Sequence, residues 1–258
     1  MGEPAQPGVR AQVARAGGDD GRAWIAALPG RLQEIAETWG LTLGEELPGG
    51  LLACYVEVRT AEGGEAVLKL SSPWARGAGE LSALRAWDGR GAPSVLRADE
   101  GAGALLLERI RPGSPADDAG PEDVAQLLSL LHVEPPAALP QLDAIVRERL
   151  GRAVAEGRAR GPRVEWAWAA LTRLSAESRA AALVHGDLGP RSVVRCARRG
   201  LCAIEPLPCS GDPAYDAASW IHANGRPGRR ARFEALADAT GLDRSRLRDW
   251  CGVIAVHG

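Results

Sequence analysis

Two carboxylates lie where the sequence predicts a shared cleft. Asp187 ends the run Leu-Val-His-Gly-Asp at residues 183–187, and Glu205 follows a second apolar run at residues 201–204. An apolar pair that enters His-Gly-Asp is typical of a strand end or tight turn, and two short strands round a turn bring Asp187 and Glu205 close. Because their environments can separate their pKa values, two such carboxylates can act as a general acid and a general base.

Two neighbouring residues extend this prediction. His185 can assist catalysis, although a histidine in such a turn can instead fix the backbone. Asp212 begins a turn that feeds a helix, and we place it in the same cleft. The alternative is that Asp187 and Asp212 are capping residues and Glu205 is a solvated surface residue. His-Gly-Asp alone is not specific, so the prediction rests on one order along the chain: Lys69, Glu80, Asp187, Glu205, Asp212.

Lys69 is the one lysine in a chain where lysine and arginine total 31. Its ammonium is a compact point charge, whereas the guanidinium of arginine is larger and planar. Lys69 lies in the apolar run at residues 66–70, where a lone charge needs a partner. We expect it to grip phosphates or to orient a carboxylate, as a kinase strand lysine does. The alternative is a surface lysine on an edge strand.

Composition limits the function classes. A net charge of −2 argues against general nucleic-acid binding. No apolar run reaches the roughly 18 residues of a membrane span, and residues 1–22 lack the apolar stretch of a signal peptide. The five cysteines contain no Cys-X-X-Cys pair. We therefore expect reduced thiols, a cytoplasmic location, no bound metal and no membrane partner. We expect a monomer or homodimer that acts on a small molecule.

The elements that must position these residues change character along the chain. Residues 1–22 have no apolar period and predict a flexible N-terminal arm. Residues 23–110 predict an N-lobe made of a helix and a β-sheet, including a hairpin formed by residues 55–58 and 66–70. Residues 111–258 predict a helical C-lobe that carries the His-Gly-Asp motif. The outline is an α+β protein with a small sheet lobe and a larger helical lobe.

Several segments together resemble the aminoglycoside phosphotransferases, in particular the streptomycin 6-kinase and hydroxyurea kinase branch. The resemblance covers nearly the whole chain, including the Pro-Gly-Gly turn at residues 48–50, the run at 66–70, the His-Gly-Asp turn and residues 211–216. It implies a protein-kinase-like, two-lobed fold with nucleotide between the lobes. It also implies roles for single residues: Gly49 and Gly50 in a phosphate-covering turn, Lys69 on the phosphates with Glu80 as its helix partner, Glu108 where the hinge meets adenine, and Asp187 as catalytic base.

Two positions depart from the family pattern. Ser192 stands where the family has a magnesium-binding asparagine, and Glu205 stands where it has a magnesium-binding aspartate. Because magnesium requires near-ideal octahedral geometry, both changes together favour a site without metal or ATP. Our main hypothesis is metal-independent acid–base chemistry on a small natural product in secondary metabolism, by a lyase such as a dehydratase or a cyclase. The alternatives are an ATP- and magnesium-dependent small-molecule kinase for antibiotic resistance or tailoring, and a non-catalytic pseudokinase.

An arginine cluster follows the helix predicted after residue 216. Arg226 and Arg229 belong to it, together with Arg230 and Arg232. The resemblance places this half of the molecule at the acceptor pocket, where arginines favour an anionic substrate. The alternative is a solvated basic loop.

Overall fold

The computed structural model describes residues 8–48, 50, 52–75, 79–176, 181–225 and 228–257. The chain forms two units, one from residues 1–76 with 93–109 and the other from residues 77–92 with 110–258. Among the described residues, no helix is both long and apolar enough to cross a membrane.

The first unit contains an antiparallel sheet of five strands. These are β1 (Thr42–Glu46), β2 (Ala53–Arg59), β3 (Glu65–Ser71), β4 (Val95–Asp99) and β5 (Ala104–Glu108), in the order β1-β2-β3-β5-β4. The predicted hairpin is confirmed, because β2 pairs with β3 and Tyr55 faces Lys69 across the ladder. Since β3 lies between β2 and β5, Lys69 is on a central strand. The edge-strand alternative for this lysine is therefore wrong.

A long helix, α1 (Val9–Trp39), precedes the sheet and bends at Gly18, where φ is 55°. Val9 and Val13 are four residues apart on one face and are buried in the core that also contains Leu68. The flexible arm expected for residues 1–22 therefore differs from the structure, in which residues 9–22 are helical. Most residues of this segment are polar or small, so its composition did not indicate that Val9 and Val13 pack into the core.

The second unit is mainly helical. Its helices are α2 (Glu80–Trp87), α3 (Pro121–Leu131), α4 (Leu142–Ala155), α5 (Pro162–Ala176), α6 (Ala214–Ala223), α7 (Arg229–Thr240) and α8 (Arg244–His257). Helix α8 packs against α4, α5 and α6. Asp243 caps α8, because its Oδ1 accepts the N–H groups of Ser245 and Arg246 at 2.8 and 3.1 Å.

Helix α2 belongs to the second unit, although residues 23–110 were expected to form one N-lobe. The buried side chain of Trp87 explains this position. Its indole N–H donates to the carbonyl of Leu131 at 2.8 Å and joins the end of α2 to the end of α3. This partner is 44 residues away in the sequence, so local patterns did not predict it.

Short strands in the second unit support the motif region. They are β6 (Pro112–Pro115), β7 (Ala182–Val184), β8 (Val193–Cys196), β9 (Gly200–Ala203) and β10 (Cys209–Gly211). They form a sheet with the order β6-β8-β9 and a second pair, β10-β7. The His-Gly-Asp motif follows β7, and Glu205 follows β9.

Candidate active site

The His-Gly-Asp motif forms a tight turn directly after β7. Gly186 has φ +80°, and a Cβ atom there would lie 2.1 Å from the carbonyl oxygen of Leu207. Only glycine fits both the left-handed backbone and this close approach. The turn leaves Asp187 exposed, while His185 before it is fully buried.

Asp216, at the start of α6, binds the backbone of the His-Gly-Asp turn. Its two carboxylate oxygens accept the backbone N–H groups of His185 at 2.8 Å and of Gly186 at 3.0 Å. His132 donates to the same carboxylate from Nε2 at 3.2 Å. Burial alone would raise the pKa of Asp216, but the histidine and the backbone donors lower it below its ordinary value. Asp216 is therefore a buried anion that fixes the backbone directly before Asp187.

The sequence predictions did not include Asp216 or His132 among the site residues. A signal was present, because Asp216 is a charged residue in a run with Tyr215 and three alanines that is otherwise apolar. A fully buried aspartate requires donors. Its donors, however, lie 30, 31 and 84 residues away in the chain.

His185 contacts backbone groups through both ring nitrogens. Nε2 donates to the carbonyl of Ile204 at 3.1 Å, and Nδ1 accepts a long hydrogen bond from the Asp187 N–H at 3.4 Å. The ring stacks on Trp87 at a centroid distance of 6.3 Å. Burial lowers the pKa of His185, although Asp216 and Asp187 act to raise it. These contacts favour the alternative in which His185 fixes the backbone and stays neutral.

The segment that contains Glu205 lies beside the His-Gly-Asp turn. Ile204 donates its N–H to the Ser192 carbonyl at 2.8 Å, and Leu207 donates to the His185 carbonyl at 2.9 Å. Glu205 is half-buried and has φ +55°, a left-handed conformation that is unusual for a residue with a side chain. Such backbone strain concentrates at functional sites. The hydrogen bonds bring the two predicted carboxylate segments together.

Ser192 closes the loop that follows Asp187. Its hydroxyl donates to the carbonyl of Asp187 at 2.8 Å and accepts the N–H of Gly189 at 3.0 Å. The side chain is 7% exposed. Because the hydroxyl is engaged within the loop, it does not fit the part of a metal ligand. Among the described residues, no three His, Cys, Asp or Glu side chains are grouped to hold a metal ion by themselves.

Asp212, expected in the cleft, has a side chain that is 9% exposed and is bound within the second unit. Its Oδ2 accepts hydrogen bonds from the guanidinium of Arg246 and the indole of Trp250, both on α8. Its Oδ1 accepts the N–H of Ala214 at 3.0 Å. Asp212 thus ties the start of α6 to α8, and this tie supports the helix that carries Asp216.

The first unit buries Lys69 on β3. The side chain is 6% exposed, and its ammonium lies 5.4 Å from the ring centroid of Tyr55. Glu108, at the end of β5, accepts the N–H of Ser94 at 3.2 Å through Oε2. Gly50 has φ +72°. Gly49 lies outside the described residues.

The remaining predicted residues belong to the second unit. Glu80 is the first residue of α2 and is 7% exposed. Its pairing with Lys69 stays a prediction. Arg229 is the first residue of α7 and is half-buried. Together with burial, its charge lowers the pKa of His222. Arg226 lies outside the described residues.

Comparisons with known proteins find similar sequences over most of the chain. Residues 38–257 match the family model described as aminoglycoside/hydroxyurea antibiotic resistance kinase. The hydroxyurea phosphotransferase of Kitasatospora aureofaciens is 37% identical over 252 residues, covering 92% of this chain and 73% of the relative. The streptomycin 6-kinase of Streptomyces glaucescens is 33% identical over 263 residues, covering 94% and 85%.

A solved structure supports the fold. The macrolide 2'-phosphotransferase MphH from Brachybacterium faecium matches with a TM-score of 0.62 and 20% identity, covering 89% of each chain. The predicted α+β, kinase-like fold with a small sheet lobe and a helical lobe is confirmed.

These relatives overturn the main functional hypothesis. Metal- and ATP-independent lyase, dehydratase or cyclase chemistry is wrong, because the similar proteins are named as a phosphotransferase and a kinase. The expectation of no cofactor is wrong for the same reason, since kinases use ATP with magnesium. The residue types at Ser192 and Glu205 do not exclude a bound magnesium ion. Magnesium in such sites is commonly bound by only one or two carboxylates, with phosphate oxygens and water completing its shell.

Proposed function

Because the chain belongs to the aminoglycoside/hydroxyurea antibiotic resistance kinase family, we propose that it transfers the γ-phosphoryl group of ATP to a hydroxyl group of a small molecule. Hydroxyurea and streptomycin, which are named for its relatives, are the acceptors we propose, in resistance or tailoring. The observation that carries this proposal is the exposed Asp187 on a turn whose backbone is bound by the buried Asp216.

Asp187 is the proposed base. In phosphoryl transfer by kinases, an aspartate of the catalytic loop accepts the proton of the attacking hydroxyl. The protein contributes mainly by positioning, and a misplacement of 1 Å can cost about a hundredfold in rate. The hydrogen bonds from His185 and Gly186 to Asp216 fix the chain up to the residue before Asp187. The carboxylate therefore extends from a well-anchored backbone.

Lys69 is the proposed phosphate ligand. Lys69 lies on the central strand β3 and is 6% exposed. Its ammonium would bind phosphate oxygens of ATP. A compact ammonium on β3 suits this function in the way that a kinase strand lysine does.

The residues present fit a magnesium ion bound mainly through the nucleotide. Glu205 is the proposed protein ligand, because its carboxylate is of the type that magnesium prefers and its segment adjoins that of Asp187. Ser192 is excluded from this role because its hydroxyl closes the loop. When bound, magnesium neutralises charge on the phosphates during transfer. Glu205 would orient the ion, and Asp187 would take the proton.

The test is product formation with hydroxyurea and with streptomycin, each incubated with ATP and magnesium and analysed by mass spectrometry for one added phosphoryl group. Asp187→Asn keeps the shape of the side chain but removes the base, so kcat should fall about 10²–10⁴-fold. Asp118→Asn is the control, since this exposed aspartate pairs only with Arg195 among the described residues. The absence of product with both acceptors would refute the proposed substrates, and an active Asp187→Asn would refute the proposed base.

A further inference from the structure

Both backbone polar groups of Gly186 are bound by charged side chains. Its N–H donates to the Asp216 carboxylate at 3.0 Å, and its carbonyl accepts a hydrogen bond from Nη1 of Arg149 at 3.2 Å. Asp216 comes from α6, and Arg149 comes from α4. The residue directly before Asp187 is thus held on both sides by groups of opposite charge.

The bond from Arg149 acts on the peptide plane that carries Asp187. The carbonyl of Gly186 and the N–H of Asp187 belong to the same planar peptide group. Gly186 lacks a Cβ and has the widest choice of backbone torsions of any residue. Without Arg149, the Asp187 N–H would keep one long hydrogen bond, to His185 at 3.4 Å. Arg149 therefore restrains the flexible backbone of Gly186, which directly precedes the proposed base.

The contacts of Arg149 are hydrogen bonds to neutral groups rather than ion pairs, among the residues that the structure describes. Within the described part of the chain, no carboxylate oxygen lies within 4 Å of this half-buried guanidinium. Its Nη1 also donates to the hydroxyl of Tyr215 at 2.7 Å. Tyr215 is 1% exposed and packs edge-on against Trp250 at 5.2 Å. Burial raises the pKa of Tyr215 to about 12, so the hydroxyl stays protonated at neutral pH.

We propose that Arg149 is a positioning residue for Asp187, acting through the Gly186 carbonyl and braced by Tyr215. The expected effect of Arg149 on kcat rests on the proposed function, whereas its expected effect on the backbone of the turn does not. A guanidinium suits this position because its fixed fork of donors can hold a carbonyl and a hydroxyl together.

The kinetic test compares substitutions on one helix. Arg149→Met keeps an apolar stem and removes the donors, so kcat should fall about 10- to 100-fold while KM for ATP changes less than threefold. Arg149→Lys keeps the charge and one donor, and should recover at least part of this loss. Arg152→Met is the matched control, because among the described residues the Arg152 side chain pairs only with Glu148, on the same helix. It should leave kcat within twofold of the parent.

Hydrogen–deuterium exchange provides a readout that does not need activity. In Arg149→Met, the amides of residues 185–187 should exchange at least tenfold faster, whereas those of the β8–β9 hairpin should not change. If this variant does not fold, Tyr215→Phe removes only the bracing hydroxyl and should increase exchange in the same segment by a smaller factor. Unchanged exchange in the folded variants, or an Arg149→Met enzyme with kcat within threefold of the parent, would overturn the proposal. A parent protein without kinase activity would refute the proposed function and leave the exchange test valid.

Discussion

Replacing Asp216 by alanine should destabilise the protein strongly, because three donors lose their shared acceptor. The backbone N–H groups of His185 and Gly186 lie at buried residues, and His132 is 14% exposed. An unsatisfied buried donor costs about 1–3 kcal/mol, so the two backbone groups alone account for about 2–6 kcal/mol. Removal of the buried charge recovers some desolvation free energy. We expect a loss of about 3–5 kcal/mol, comparable to breaking one buried ion pair.

The assay is urea unfolding at pH 7.5 of the parent, Asp216→Ala and Asp216→Asn. The asparagine variant should lose less, because its amide oxygen can still accept one backbone N–H while its amino group faces the other. Asp118→Asn is the control and should leave the unfolding midpoint unchanged. Since the pKa of Asp216 is lowered in the folded state, its contribution is present above the unfolded pKa of about 3.9. It is lost only as the pH falls through the lower folded value.

Two outcomes would refute this reasoning. A loss below about 1 kcal/mol for Asp216→Ala would mean that water or another group satisfies the freed donors. The second outcome is a difference in the free energy of unfolding between parent and Asp216→Ala that disappears as the pH falls from 8 to 5. It would show that the carboxylate loses its charge in that range, in conflict with its lowered pKa.

Two further predictions concern the same unit. Gly186→Ala should lower the free energy of unfolding by about 1–2 kcal/mol through the left-handed backbone alone, and further through the clash with the Leu207 carbonyl. Gly151→Ala is the control in α4, where no atom lies within 4 Å of the added Cβ, and it should be neutral or stabilising. Equal thermal midpoints for the two variants would contradict this prediction. Burial, helped by Arg149, lowers the pKa of His257 to about 4. Because the unfolded histidine titrates near 6.5, stability should fall by up to about 1.4 kcal/mol per pH unit between pH 6.5 and 4, and His257→Gln should remove that part of the slope in urea unfolding. An unchanged slope would contradict this assignment.

The tertiary structure changed the meaning of several residues that the sequence had already singled out. Lys69 was a candidate because it is the one lysine of the chain, and the strand order then placed it on a central strand. Asp212 was expected in a cleft, and its buried pairing with Arg246 makes it a tie between helices. Ser192 was predicted to replace a metal ligand of the family, and its contacts show a hydroxyl that closes a loop.

The sequence by itself determined the features that depend on near neighbours. The β2–β3 hairpin and the His-Gly-Asp turn follow from local periodicity and glycine conformation, and the motif order indicated the kinase-like fold. Only the tertiary structure identified Asp216, His132 and Arg149 as the side chains that hold the turn. Their partners lie 30 to 84 residues away, so the hydrogen bonds exist only after the helices have packed. A buried polar group is satisfied by whatever packing brings near it, and a local pattern does not contain that information.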